Sequence, residues 1–293
     1  MKFLVFGSLN IDMVYSLDHI VAPGETIAVN NFATHAGGKG ANQAAALGRA
    51  GMPVFMAGKM GTDGEFLLKK LEQCGVDVSL VSHDDGASGH AIIQVAADGE
   101  NAICIYPGAN RRITEAEVEA VLEHFSAGDV LLLQNEINQL DCIIRRAAAR
   151  GMIVALNPAP FTNDITSLPL DKLTLLIVNE VEAEQMTGIS AFGSADTLLN
   201  AIMEKMPRCN VVLTLGSRGA VFMANDGHRV FAAAKKVRPV DTTGAGDTFI
   251  GYFMAKFASG AAPEKCLDYG CRAAALAVTR HGAMDSIPAA AEL

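Results

Sequence analysis

The chain has 293 residues, half of them hydrophobic and only 19% charged, with a mean hydropathy of +0.26, which excludes disordered, collagen-like and disulfide-stapled mini-protein classes and suits one large domain or two modest ones. Lysine and arginine number 23 and the acidic residues 32, a net charge of −9 that repels a phosphate backbone. The adjacent basic pairs, such as Lys69-Lys70, Arg111-Arg112, Arg145-Arg146 and Lys235-Lys236, are isolated, so no basic face is offered to nucleic acid.

In chain order, Phe3–Phe6 reads as a buried strand. Asn10 and Asp12 then interrupt the apolar run short of a signal peptide, and no later run approaches the roughly 18 apolar residues of a membrane span. Residues 13–36 hold the β-like pieces Met13–Leu17 and Ala28–Ala33 but no helix, although a parallel crossover normally needs one. Gly37-Gly38-Lys39-Gly40-Ala41-Asn42-Gln43 enters a helix, and Val54–Ala57 is the next buried strand. Ala91–Ala97 and Ala102–Tyr106 flank the turn Asp98-Gly99-Glu100-Asn101, an antiparallel hairpin signal. Thr114-Glu115-Ala116-Glu117 is a capping box that opens a helix to about Phe125. The buried strands Val130–Leu133, Ile153–Leu156, Leu175–Val178 and Val211–Leu215 then alternate with helical-period segments at Gln139–Arg150 and Ala195–Met206, followed by Asp247–Ser259 and Pro263–Arg280.

This rhythm predicts an α/β fold, a mostly parallel sheet covered by helices on both faces. The β-rich insertions at 13–36 and 90–106 are expected to form a small separate sheet, leaving 1–12, 37–89 and 107–293 as the core. Such a sheet could be a lid over the C-terminal strand ends, where open α/β sheets bind ligands. Two edge hairpins on the main sheet are the alternative. The six cysteines (Cys74, Cys104, Cys142, Cys209, Cys266, Cys271) form no C-x-x-C pair and read as buried thiols in a reducing, cytoplasmic compartment.

Three segments carry chemistry. In Asp241-Thr242-Thr243-Gly244-Ala245-Gly246-Asp247-Thr248-Phe249 the glycines let backbone approach a ligand, and the unpaired N–H groups of the following helix favour an anion such as a phosphoryl oxygen. Asp247 is then placed to accept a hydroxyl proton beside that anion, unless it merely caps the helix. In the Gly37–Gln43 segment, Lys39 and Asn42 lie three apart and can donate to hydroxyls or phosphate. Asn10 and Asp12, just past the first strand, point the same way by alternation, and a carboxylate there can accept from two vicinal hydroxyls; a simple strand-ending turn is the bland reading. The phosphate-loop G-x-x-x-x-G-K-[ST], the dinucleotide G-x-G-x-x-G, H-E-x-x-H and G-x-S-x-G are all missing.

These residues resemble the ribokinase-like (phosphofructokinase B type) carbohydrate kinases. Gly38-Lys39-Gly40-Ala41-Asn42-Gln43-Ala44 is similar to that family's N-terminal signature, and the segment Asp241–Phe249 to its C-terminal one. Further matches span nearly the whole chain: Gly7–Asp12, Pro23–Thr26, Asp98–Asn101, Pro107–Asn110, Asn157–Pro160, Asn179–Glu182 and Thr214–Gly216. The resemblance implies a three-layer α/β sandwich with a small β-sheet lid. It also implies transfer of the ATP γ-phosphoryl group to a sugar hydroxymethyl oxygen, with Asp247 as base and Gly244, Ala245 and Gly246 as anion hole. By the same comparison Asn10, Asp12, Gly38, Lys39, Asn42 and Glu136 would bind the sugar, with Asp247 at its reacting hydroxyl. Asn179 and Glu182 match an N-x-x-E motif whose acid organises Mg²⁺ through water; without the resemblance, Glu180, Glu182 and Glu184 are an acidic first helical turn. Thr214, Gly216, Ser217, Gly219 and Gly246 would line the ATP side, with Cys271 near the adenine. Asp241 and Thr243, with Ala277, Arg280, Gly282 and Ser286, correspond to a monovalent-cation site, which implies activation by K⁺.

Lys39 and Glu136 point to a ribokinase-type pocket and hence to D-ribose, phosphorylated at O5. Ile250, where many such kinases have Asn, leaves deoxyribose, a ketohexose or a nucleoside as alternative acceptors. A sugar-binding protein without catalysis is the alternative of a different class, although binding alone needs no base. The resemblance further implies a homodimer joined through the lid.

Overall fold

The first strand, β1 (Phe3–Phe6), has no polar residue and is buried throughout, as a central strand covered on both faces must be. The computed structural model describes residues 1–190 and 194–293. From β1 the chain runs through β2 (Asn10–Leu17), β3 (Asn31–Gly37), α1 (Lys39–Arg49), β4 (Val54–Gly61), α2 (Glu65–Gln73) and β5 (Val76–Asp84). The hairpin β6 (Gly89–Ala96) and β7 (Asn101–Tyr106) turns at Gly99, whose φ of 91° suits a residue without a side chain. Next comes α3 (Glu115–Leu122), opened by the expected capping box: Thr114 Oγ1 accepts the Glu117 N–H, and the Glu117 carboxylate accepts the Thr114 N–H at 2.8 Å. Then follow β8 (Val130–Gln134), α4 (Leu140–Ala149), β9 (Ile153–Asn157), β10 (Leu175–Asn179) and α5 (Glu180–Thr187). The chain ends with α6 (Ala195–Lys205), β11 (Asn210–Thr214), β12 (Gly219–Met223), β13 (Arg229–Ala233), α7 (Ala245–Ala258) and α8 (Pro263–Ala277).

The large sheet has nine strands in the order β13-β12-β11-β10-β9-β8-β1-β4-β5, and every neighbouring pair is parallel except β11–β12 and β12–β13. Alternation along β1 splits the core: Phe3 and Val5 face α1, α7 and α8, while Leu4 and Phe6 face α3 and α4. The expected three-layer arrangement is therefore present. The chain leaves β1 towards β4 on one side and later returns to β8 on the other, so the strand order reverses between β1 and β8. In an open α/β sheet the crevice beyond the strand ends at such a reversal is where ligands bind.

The small sheet, in the order β3-β2-β6-β7, is built from both insertions. Its strands begin elsewhere than expected. β2 starts at Asn10 and not at Met13, because Asn10 to Leu17 pair without a break with β6 (Asn10↔Gly89 to Leu17↔Ala96), so Asn10 and Asp12 belong to the small sheet. β3 starts at Asn31 and not at Ala28, since β2 offers it no partner beyond Ser16. The helix α3 ends at Leu122 and α8 at Ala277, each short of the position that periodicity suggests. The cysteine reading also needs correction: Cys104 is exposed and Cys142 half-buried. Cys104 lies on β7, an edge strand with no layer over it, so an apolar sequence neighbourhood does not bury it. Among the described residues, no helix is long and apolar enough to cross a membrane.

Candidate active site

Two helices converge at the C-terminal ends of the strands. The N-cap of α1 is Gly38 at φ 92°, and a Cβ there would stand 2.9 Å from the Asn10 nitrogen and the Ser8 carbonyl oxygen. The N-cap of α7 is Gly244 at φ 71°. A Cβ on Gly251 would stand 2.4 Å from the Ala46 methyl, so a glycine in α7 is what lets α1 approach it closely. Their first turns and positive dipole ends meet over the reversal between β1 and β8, but the first-turn amides of α1 are taken, by Glu136 and by the Ser8 hydroxyl and carbonyl, which leaves α7 as the helix with free ones.

Asp247, in the first turn of α7, is 8% exposed. It does not cap its own helix. Its Oδ1 accepts from Gln43 Nε2 at 2.9 Å and its Oδ2 from Asn42 Nδ2 at 3.2 Å, both from α1. Among the described residues nothing accepts from the Gly246 or Asp247 N–H groups, while the Ala245 N–H reaches the Thr242 carbonyl at 3.3 Å. A Cβ on Gly246 would meet only open space. An anion therefore has both access and free donors.

The sugar-side residues gather on the neighbouring ends. Glu136, past β8, accepts from the Ser8 hydroxyl, and its Oε2 accepts from the Lys39 N–H at 3.0 Å. Asn10 Oδ1 is held by Asn110 Nδ2 at 2.7 Å. Asp12 is half-buried, and burial, then the charges of Glu136 and Asp247, push its carboxyl up to about 7. A Cβ on Gly37 would sit 2.0 Å from Asp12 Oδ2, so a glycine opposite it is what leaves the carboxylate room. The Lys39 ammonium is raised above its ordinary value, chiefly by Asp247 and also by Glu136 and Glu182, against the opposing effect of burial. Among the described residues neither the Asp12 carboxylate nor the Lys39 ammonium has a hydrogen-bond or ion-pair partner. Asn42 Oδ1 is likewise buried without one. The Asp12 carboxylate and the Lys39 ammonium are thus left for something outside the protein.

Beside them lies a cleft of about 150 Å³ lined by Lys39, Asn157, Asn179, Glu182, Thr214, the segment Gly244–Asp247 and Ile250. Asn157, Asn179 and Thr214 are the last residues of β9, β10 and β11, so the cleft follows the row of strand ends. Glu182 serves two arrangements. It closes a capping box with Asn179, donating its N–H to Asn179 Oδ1 at 2.8 Å, and it is 8% exposed, so burial raises its carboxyl. A larger apolar groove of about 220 Å³, between β5 and α3, carries none of the candidate catalytic or binding residues.

Other expected residues stand apart from the cleft. Gly216 and Ser217 are exposed in the turn after β11, Gly219 opens β12, and Cys271 is buried in α8, its thiol pushed up to about 11 by burial. Of the expected cation residues, Thr243 and Gly282 meet at Asp241. Its Oδ1 accepts from the Thr243 N–H at 2.9 Å and its Oδ2 from the Gly282 N–H at 2.8 Å, which ties the anion-hole loop to the segment after α8. Each Asp241 carboxylate oxygen keeps a free lone pair, an oxygen donor of the kind a hard monovalent cation takes, while the Ser286 hydroxyl donates to the Ala283 carbonyl. Arg280 pairs with Glu292 instead.

The roles of Gln43, Asn157, Ser8 and Asn110 escaped the sequence reading. All four lie inside the motif matches, yet amides and a hydroxyl carry no pattern that separates a site from a turn.

A family model described as "pfkB family carbohydrate kinase" matches residues 1–290. A ribokinase of Schizosaccharomyces pombe is 34% identical over 310 residues, covering 100% of this chain and 96% of the relative. A deoxyribokinase of Salmonella typhimurium is 30% identical, covering 98% of this chain and 96% of the relative. The solved structure of Arabidopsis thaliana ribokinase complexed with ribose and ATP superposes with a TM-score of 0.87 at 30% identity, covering 99% of this chain and 96% of that one.

Proposed function

The chain belongs to the pfkB family of carbohydrate kinases, and from that premise we propose that it transfers the γ-phosphoryl group of ATP to O5 of D-ribose. One observation carries the reading: Asp247 is held at both carboxylate oxygens, beside free helix N–H groups, facing an Asp12 carboxylate and a Lys39 ammonium without protein partners. In this reading Asp12 accepts from vicinal sugar hydroxyls, and Lys39, Asn10, Asn42 and Glu136 fix the ring. The Gly38 backbone borders the ring. Asp247 takes the proton of the hydroxymethyl group as its oxygen attacks the γ-phosphorus, the bond to ADP breaks, and the free amides at the end of the Gly244–Gly246 loop, those of Gly246 and Asp247, steady the transferred group.

ATP lies along Asn179, Thr214, Gly216, Ser217 and Gly219, its adenine towards Cys271. The buried acid Glu182 faces the same cleft and fits a role in holding Mg²⁺ through water. A bound Mg²⁺ neutralises triphosphate charge that would otherwise repel the surrounding carboxylates. Around Asp241, with Thr243, Ala277, Arg280, Gly282 and Ser286, K⁺ would order the loop that bears the anion hole. The free cysteines fit a reducing cytoplasm.

The test is ADP release from ATP with Mg²⁺, in K⁺ and in tetramethylammonium, over ribose, 2-deoxyribose, ketohexoses and nucleosides. Ribose is expected to be preferred and the rate to be higher in K⁺. Preference for another acceptor replaces the sugar and keeps the mechanism, whereas binding of sugar without turnover makes this a binding protein.

A homodimer through the small sheet is also part of the proposal. Its register puts Ile93, Ile103 and Ile105 on the same face as Asp12, and Ile103 and Ile105 are 53% and 54% exposed, an apolar face that a second copy would cover. Sedimentation of the intact protein is expected to give a dimer, and Ile103→Glu to shift it to monomer; a monomeric parent protein would remove the dimer from the reading.

A further inference from the structure

Beneath Asp247 lies a chain of side-chain amides whose polarity is fixed from one end. The Ile177 carbonyl can only accept, so Asn157 must turn its Nδ2 towards it, at 3.0 Å, and leave its Oδ1 facing Gln43. Gln43 must then present its NH₂ group to Asn157, at 3.1 Å, and the same nitrogen donates to Asp247 Oδ1 at 2.9 Å. Both donors of Gln43 are thereby used. Its Oε1 in turn accepts from Gln134 Nε2 at 2.7 Å. Gln43 and Gln134 are fully buried, so no water can substitute for a lost partner without a rearrangement. Asn157 Nδ2 also reaches Glu182 Oε2 at 3.5 Å, which extends the chain from Asp247 to the acid on the ATP side.

We infer that Gln43 is a positioning residue for the phosphoryl transfer: it holds Asp247 Oδ1 in the interior and so reserves Oδ2, beside Asn42, for the acceptor hydroxyl. The charged groups that face Asp247 are Lys39 on α1, Asp12 on β2 and Glu182 on α5, with Glu136 past β8 beside Asp12 and Lys39, and none of them has a hydrogen bond to either of its oxygens. The two amides are the only side-chain donors that orient it among the described residues. The inference rests on the reading of Asp247 as the base.

The test uses the full-length protein with ribose and ATP and begins with Asp247→Asn, whose loss of turnover establishes the base independently. Gln43→Met, which keeps the volume and removes the donors, is expected to lower kcat ~10–100-fold, the cost of losing a hydrogen bond to a charged group, with KM for ribose within about threefold. Gln43→Glu keeps the shape and the acceptor towards Gln134, and it can donate to Asp247 only while its introduced carboxyl is protonated. Its kcat, relative to the parent enzyme, is therefore expected to fall as pH rises, a dependence that a merely structural role does not create. Parent-like kcat in either variant, or a loss confined to KM, overturns the positioning role while leaving Asp247 as base. If Gln43→Met does not fold, the pH dependence of Gln43→Glu decides alone. Turnover that survives Asp247→Asn overturns the reading on which the inference rests.

Discussion

Asp247→Asn is expected to lower kcat by ~10²–10⁴-fold while leaving the fold and most of the sugar affinity in place, because a positioned base typically contributes that factor. The amide keeps the shape of the carboxylate, and the groups that hold it tolerate the exchange unequally. Gln43 and Asn42 both donate to Asp247, so an amide there can accept at one atom and must face a donor with the other. A modest loss of stability therefore accompanies the kinetic loss. Thermal denaturation and isothermal calorimetry with ribose separate the two, and a folded variant that binds ribose and turns over at near the parent rate would falsify the assignment of the base.

The second large effect concerns Asp12, where stability and binding pull in opposite directions. Its carboxyl stands at about 7 in the unliganded fold, above the ordinary 3.8, so between those values the folded chain binds a proton that the unfolded chain has lost. Stability from this group is therefore present at low pH and disappears as pH rises through about 7. Asp12→Asn removes the buried charge, and above pH 7 it is expected to stabilise the unliganded protein by on the order of 1–4 kcal/mol. The same change replaces an acceptor of two hydroxyl protons, and ribose affinity is expected to drop ~10²-fold, the worth of one or two hydrogen bonds to a charged group. In the parent protein, ribose binding should weaken as pH falls below about 7, since the neutral acid accepts less well. Melting temperatures and ribose titrations on both sides of that pH test the pair of expectations. If affinity is unchanged by the substitution, Asp12 does not grip the sugar.

Much of this site is legible in residue order because its parts are local. A glycine just before a helix determines a close backbone approach wherever the helix goes, and Gly38 and Gly244 do stand at helix N-caps with positive φ. The Thr114 capping box and the Asp98-Gly99 turn are set by neighbours within a few residues, and both form as expected. Element ends are less legible, since they depend on partners. β2 reaches back to Asn10 only because β6 is there to pair with it. The strands β12 and β13 at one end of the sheet, whose pairing is antiparallel, give no comparable signal in an otherwise parallel rhythm.

What the sequence by itself determined, then, is the alternation of strand and helix, the two glycine-led helix starts and the identity of the acid at the second of them, because hydrophobic period and glycine placement act over short stretches of chain. Only the tertiary structure decided that Gln43 grips an aspartate 204 positions away, that Asn157 joins this pair to Glu182, and that Asp12 and Lys39 stay without partners. The reason is that hydrogen-bond satisfaction and burial are properties of groups meeting in space. An amide or a carboxylate has the same chemistry everywhere in a sequence, and it becomes a positioned base, a support or an open contact only when the fold settles which donors reach it and whether water can.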